Sequence, residues 1–502
     1  MIRPTFLGFE TAKKGLTTSQ KGLDIAGQNL VNWDSTGYTR QRIEQVSISQ
    51  DRYSARFNDN RVGVAGQGVD IVGISQMRDS FLDKRYREEY GDTGYYAQAS
   101  TILSDIQNSL DVLDAKGDAG LRGRLMALLD SLDSFAGAAD SPTNANLVAT
   151  NVKSITQTLQ SFSKKLDKVR AQYTYDMSVA VDDYNKKLAQ VAELNRVIME
   201  DSGVIGADAR YGPNELYDAR NVLIDELSNM TDLEVTHNVD GTVTLEVAGK
   251  TVVQGRKYET LDMSTNDDTG VISLRWLSTG ENALLTTGSL KAFGDHLNGR
   301  GTNVLNPGET ASRGIPYYKD QLDSVAMQLA EVLNSTIPMS YQDETLGYKK
   351  LIGTSDGSEE ITAENISIST EWENDSSYIM TQKGDLDSTY ILKLKDRLNS
   401  EEHSFRYPGG SENFNGTFLE CIKGYGTTLG ADISYQNGRH EGSAAMAESL
   451  QDQRDSVSGV NVDEETASLM MYNKSLSAAS RLMTTLDEAL DVLINRTGRV
   501  GL

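Results

Sequence analysis

The sequence predicts a mainly α protein, with terminal helices pairing as a coiled coil, an elongated helical-bundle shaft and β-rich inserted outer domains. Three observations carry this reading. Apolar residues recur every seven positions at both ends of the chain, the period at which one helix wraps another. An apolar helical track runs from 143 to 199, about 85 Å at 1.5 Å per residue, which suits a rod better than a compact domain. The period changes from 3.6 to 2 only in internal stretches.

At the amino end, Ile2, Phe9, Leu16, Leu23 and Leu30 are spaced by sevens, with Ala12, Ser19 and Ala26 three places behind the middle ones. Large residues at one position and small ones at the other make a seam narrow enough for close helix approach. The helix should end near Asn32, because Trp33-Asp34-Ser35-Thr36-Gly37 is turn chemistry and Gly37 can take a positive φ. An extended segment follows, with Ile43, Val46 and Ile48 alternating loosely, then Gly63, Gly66, Gly68 and the apolar run 69–74.

Helical spacing resumes at Ser80. Ile102, Ile106, Leu110 and Leu113 mark one helix, stopped at Lys116-Gly117, and Leu121, Leu125, Leu128, Leu132 and Phe135 mark a shorter one. Ser141-Pro142-Thr143 then opens the long track, and Leu216, Leu223, Leu227 and Met230 give another helix. Residues 242–247 and 250–253 flank Ala248-Gly249, a hairpin signal, and 271–277 reads as a further strand. Helical spacing returns in 288–297 and again through Leu322, Val325, Leu329 and Leu333. Residues 340–420 are polar and mixed, with strand-like runs at 361–368 and 390–394.

The carboxy end repeats the heptads. Val462, Leu469, Leu476, Met483 and Leu490 are spaced by sevens, and Tyr472, Ala479, Leu486 and Leu493 follow three behind. A helix with one such seam cannot bury it alone, so the two terminal helices are expected to pair. The domains expected are 1–60 with 456–502 as the terminal coiled coil, 61–235 with 286–340 and 426–455 as the shaft, 236–285 as a small β insert, and 341–425 as a β-rich outer domain. The candidate assembly interface is Phe9, Leu16, Leu23 and Leu30 against Leu469, Leu476, Met483 and Leu490.

Bulk properties narrow the function. A net charge of −24 and a pI near 4.6 argue against nucleic acid or an anionic membrane as the main partner. Residues 341–410 hold fourteen acidic against seven basic side chains, as a solvated outer surface would. Cys421 is the single cysteine, so neither an intramolecular disulfide nor a cysteine-based metal site is possible. His237, His296, His403 and His440 lack metal-ligand spacing, and no cofactor is expected. The first thirty residues lack the features of a cleavable secretory signal, and no apolar run is long enough for membrane insertion.

Gly27-Gln28-Asn29-Leu30-Val31-Asn32, followed by Thr36-Gly37-Tyr38-Thr39-Arg40-Gln41, resembles the amino-terminal signature of bacterial flagellar rod, hook and hook-associated proteins. Asn29, Asn32, Gly37, Tyr38, Arg40 and Gln41 carry it. The run from Arg454 through Gly459, Val460 and Asn461 to Glu465, with the helix after it, is similar to the carboxy terminus of the hook-associated proteins of the hook–filament junction. Thr36, where the family often has proline, and Trp33, where it has a smaller residue, depart from the pattern. The resemblance implies a non-enzymatic structural subunit, secreted through the flagellar type III channel without a cleavable signal peptide. It implies assembly with itself in a helical ring, with the hook protein on one side and the second junction protein, hook-associated protein 3, on the other. An export chaperone would hold the carboxy-terminal helix. Another axial protein, such as hook-associated protein 3 or a hook-like subunit, would share the terminal seams.

Other signals weigh less. Gly353-Thr354-Ser355-Asp356-Gly357 fits the G-x-S-x-G nucleophile elbow of a hydrolase, but no apolar helix follows it. A Gly/Ser turn in an outer domain is the plainer reading, and an adhesin on that domain is the other outlying alternative. His403, in a polar stretch, reads as exposed, and Cys421 as a small buried hydrophobe.

Overall fold

The computed structural model describes residues 5–48, 68–110, 120–205, 211–340, 346–380 and 388–496. Ile2, Gly63, Gly66, Leu113 and the Lys116-Gly117 stop lie outside these residues. Helix α1 (Thr5–Val31) leads through the glycine turn into β1 (Gln41–Ser47), which pairs antiparallel with β2 (Val69–Gln76), with a bulge at Glu44/Gln45. The bundle follows as α2 (Ser80–Leu110), α3 (Leu121–Gly137), α4 (Pro142–Ile205) and α5 (Asn214–Met230). At 64 residues, α4 is about 96 Å long. Its buried line, from Val152, Ile155 and Leu159 to Tyr184, Leu188 and Val191, packs α3 along one end, α5 near the other, and the inserts between.

After α5 the chain forms a four-stranded antiparallel sheet, β3 (Leu233–His237), β4 (Val243–Val247), β5 (Lys250–Gln254) and β6 (Lys257–Tyr258), then the ribbon β7 (Leu261–Thr265) and β8 (Ile272–Trp276). The β4–β5 turn is Ala248-Gly249, with φ of 50° and 75°, as a tight hairpin requires. Helices α6 (Ser289–Asn298) and α7 (Ile315–Asn334) follow, α7 buried on nearly all sides.

In the stretch expected to be β-rich, the strands are short: β9 (Ile352–Thr354) with β10 (Ile366–Ile368), and β11 (His403–Arg406) with β12 (Glu412–Gly416). They alternate with α8 (Thr370–Asn374), a 3-10 turn (Ser376–Ile379) and α9 (Thr389–Leu398). Residues 390–394, expected as a strand, are helical in α9. Ile391, Leu394 and Leu398 are its buried residues, at the 3–4 spacing that a short apolar run does not distinguish from alternation. Helix α10 (Phe418–Ser458) then runs through residues 425 and 426 without a break, across the expected domain boundary, and packs along α2. A break at Gly459 leads into α11 (Val462–Asp491), which ends in a π turn (Val492–Arg496).

Among the described residues one device joins helices to strands five times. An asparagine side chain on a helix both donates to and accepts from the backbone of one strand residue or the residue beside it: Asn29 on Gln41, Asn185 on Leu261, Asn195 on Val243, Asn298 on Ile272, and Asn334 on Leu351 and Ile352. The carboxamide stands in for the peptide of a missing neighbouring strand, so a strand edge can be buried against a helix with its polar groups satisfied.

Candidate assembly interface

Helices α1 and α11 run antiparallel along their shared length. A Cβ added at Gly8 would meet Leu486, one at Gly15 would meet Ala479, and one at Gly22 would meet the Tyr472 ring. Glycines seven apart on one helix thus face residues seven apart on the other. Ala12 and Ser19 lie between them and Ala26 one turn beyond, and all three are buried. This is the narrow seam that small residues permit, since without side chains the two backbones can close together.

The large residues Phe9, Leu16, Leu23 and Leu30 are half-buried, one position beside the glycine line. The line of closest approach is therefore rotated by one residue from the expected one. Leu469, Leu476, Met483 and Leu490 are also half-buried, with Tyr472, Ala479 and Leu486 among them. Beyond the seam, α11 and the π turn that ends it keep apolar surface in water: Met470, Met471, Leu482, Leu493 and Ile494 are 46–73% exposed.

The signature residues converge where this pair meets the shaft. Asn29 is buried, donates to the Gln41 carbonyl at 2.9 Å, and accepts from the Gln41 amide at 3.0 Å and the Tyr38 hydroxyl at 2.8 Å. Burial, with Asp218, Glu215 and Glu465 nearby, pushes the Tyr38 hydroxyl well above its ordinary pKa, so it stays a donor. Asn32 ties the last turn of α1 by donating to the Gln28 carbonyl at 3.0 Å. Gly37 takes φ 77°, and a Cβ there would collide with Val222 of α5. The Thr39 amide donates to Asp218 at 3.2 Å.

Arg40 reaches across to the carboxy-terminal segment. Its amide donates to the Ser458 carbonyl at 2.8 Å, its Nε to buried Glu465 at 2.7 Å, and its Nη1 to Glu464 at 2.8 Å. Those acids stand in the first turn of α11, where negative charge suits the helix N-terminus. Asn461 caps that turn, accepting from the Asp463 and Glu464 amides. The signature near residue 40 and the lead-in near 460 are thus two halves of one joint.

Beneath the joint lies an ionic cluster that sequence periodicity did not reveal. Asp83 pairs with Arg78 at 2.6 Å and Arg454 at 3.0 Å, and Asp225 with Arg87 at 2.6 Å and Arg454 at 2.7 Å. The Arg454 guanidinium also sits 4.3 Å from the centre of the Tyr86 ring. Burial raises the Asp83 pKa, but Arg78, Arg87 and Arg454 together outweigh it and hold the carboxyl below its usual range. Arg454 thereby locks α10 to α2 and α5. Only Arg454 has a trace in sequence, as the first residue of the lead-in.

The remaining candidates sit elsewhere. Ser355 follows β9 in a turn whose Asp356 carboxylate accepts from the Ser358 amide, and the chain continues to β10 rather than into a helix. His403, expected to be exposed, is buried against the Phe405 and Phe418 rings, and burial lowers its pKa. β11 turns it inward, a facing that the polar stretch around it conceals. Cys421 is buried, its thiol pushed up to about 12. Among the described residues no group of acidic, histidine or cysteine side chains is placed to hold a metal ion. No described helix is long and apolar enough to cross a membrane.

Comparison with known proteins gives a consistent neighbourhood. Residues 107–341 match the family model "Flagellar hook-associated protein FlgK helical domain", and residues 451–496 match "Flagellar basal body rod FlgEFG protein C-terminal". Flagellar hook-associated protein 1 of Bacillus subtilis is 26% identical over 526 aligned positions, covering 99% of both chains. The proteins of that name from Salmonella typhimurium and Escherichia coli are 23% and 22% identical, covering 96% of this chain and 98% of their own. The flagellar hook junction protein FlgK from Burkholderia pseudomallei is similar in fold, with a TM-score of 0.57 and 11% identity over 74% of this chain and 100% of that one.

Proposed function

We infer that this chain, a member of the flagellar hook-associated protein 1 family, is a structural subunit of the bacterial flagellum that self-assembles at the hook–filament junction. One observation carries the mechanism. The α1–α11 pair is long and closely packed, yet Phe9, Leu16, Leu23, Leu30, Leu469, Leu476, Met483 and Leu490 are not fully buried within one chain, and Met470, Met471 and Leu482 beside them are exposed. A two-helix coil has no inside large enough to hide such residues, so they act as the assembly interface and are covered by neighbouring subunits. At ~25 cal/mol per Å² buried, a seam of eight large side chains contributes on the order of 10 kcal/mol before ordering entropy is subtracted.

The partners proposed are further copies in a helical ring, the hook protein beneath and hook-associated protein 3 above. Export as an extended chain without a cleaved signal accords with a sequence holding one cysteine. Before export, a chaperone covering the apolar face of α11 would keep it from aggregating. The role is non-catalytic. Leu23→Asp or Leu476→Asp should abolish attachment to isolated hooks while leaving the shaft folded by circular dichroism. Normal attachment by both variants would overturn the interface assignment. Binding to hooks that already carry hook-associated protein 1, and not to bare ones, would instead mark the chain as a later junction protein.

A further inference from the structure

Helix α10 carries Gly424, Gly426, Gly430, Gly438 and Gly442, and a Cβ added at any of them would meet nothing within 4 Å. Each lowers the local helix equilibrium roughly fivefold relative to alanine. No close approach within the chain requires them, unlike Gly91 and Gly94 of the neighbouring α2, where a Cβ would run into the backbone of Ser228 and Asn229.

Burial along the same helix shows a second, independent weakness. Phe418, Cys421, Ile422, Tyr425 and Leu429 are buried at one end, and Ser443, Ala447, Leu450 and Arg454 at the other. From 430 to 442 no residue is buried. Asp432, which accepts from Arg313 and the Tyr318 hydroxyl, and half-buried Ile433 fix the start of this span. Beyond them the side-chain ties to α2 are polar: Ser100 with Asn437, and Arg439 with the Tyr96 hydroxyl at 2.9 Å and its ring at 4.9 Å. Low helix propensity and the lack of any fully buried side chain coincide between two firmly held ends.

We propose that residues 430–442 of α10 are a flexural joint, at which the outer end of the helix, seated on α7, swings relative to the end locked by Arg454 above the coiled coil. A subunit built this way accommodates different angles between its outer part and its coil without breaking either packed end. The inference rests on the fold and not on the partners proposed above. Its test uses the full chain in isolation, so failure here leaves the assembly reading untouched.

Amide exchange followed by mass spectrometry should show residues 430–442 exchanging at least about a hundredfold faster than 421–429 and 447–454, as expected for local opening. The triple variant Gly430→Ala, Gly438→Ala, Gly442→Ala should slow that span by on the order of a hundredfold and leave both flanks unchanged. Spin labels at Lys423→Cys and Ser449→Cys, both exposed positions, with the native Cys421 buried, should give a broad distance distribution that narrows in the triple variant. Exchange as slow as in the flanks, uniform slowing along all of α10, or an unchanged distance distribution would each overturn the joint.

Discussion

Replacing Gly15 and Gly22 by alanine, one at a time, separates close helix approach from helix propensity. Both residues face α11 from the same line of α1. In an unobstructed helix interior alanine is favoured over glycine by ~1 kcal/mol. At Gly15 the new methyl would lie 3.8 Å from the Ala479 Cβ, an ordinary contact, so the whole gain should appear. At Gly22 it would lie 2.6 Å from two Tyr472 ring carbons and 2.7 Å from a third. The obstacle is the side of a rigid ring, so the ring or the helix must move, and overpacking of this kind costs about 1–3 kcal/mol. Gly15→Ala should therefore stabilise the pair by about 1 kcal/mol, and Gly22→Ala should fall below it by about 1–3 kcal/mol. The assay is amide exchange in residues 12–29 of protein bound to isolated hooks, where every 1.4 kcal/mol is about a tenfold change in protection. Equal protection in the two variants would refute the packing of Tyr472 on Gly22, and with it the register of the seam.

Three further outcomes follow from the geometry. Arg454→Met keeps the aliphatic stem but leaves Asp83 and Asp225 with one arginine each; a broken buried pair costs about 3–5 kcal/mol, so a loss of ~2–4 kcal/mol is expected in urea unfolding. Asn29→Asp keeps the acceptor for Tyr38 and the Gln41 amide but sets a carboxylate against the Gln41 carbonyl, and should cost ~2–3 kcal/mol by the same measurement. Asp323, whose carboxylate accepts from the Ala363 amide at 2.7 Å, is pushed up to about 7 by burial. Its folded pKa lies above its unfolded one, so the folded state holds the extra proton and stability falls as pH rises from about 4 to about 7. Asp323→Asn should therefore raise the melting temperature more at pH 8 than at pH 5, and an identical rise at both would exclude the buried carboxyl as the cause.

Legibility in the sequence followed the range of each interaction. The α11 seam was readable because a heptad is a local pattern, and Leu469, Tyr472, Leu476, Ala479, Met483 and Leu486 all lie on its half-buried line. On α1 the same search favoured the large residues, since hydrophobicity marks leucine and not glycine. Gly8, Gly15 and Gly22 hold the period equally well, and a search for small residues at sevens would have found them. His403 and the helix at 390–394 were misjudged because a short run in polar company does not reveal which side meets the core.

The ionic cluster and the asparagine clamps lay beyond any such reading, because their logic is spatial. Asp83, Asp225 and Arg87 look in sequence like any solvated charges, and only the docking of α10 on α2 and α5 removes water from all of them together. Asn185 and Asn195 look like interior helix residues of modest propensity, and Asn298 like a helix end, until a strand edge arrives. Asn29 differs, since the fold gives its carboxamide three partners within twelve residues. A residue that satisfies both polar groups of a strand edge and a hydroxyl in one place cannot be exchanged for another without leaving a buried group unpaired. The family motif is therefore a hydrogen-bonding solution for turning from α1 into β1. Arg40, one residue before β1, is then aimed at the start of α11, which makes the turn the point where the two ends of the chain are held in register.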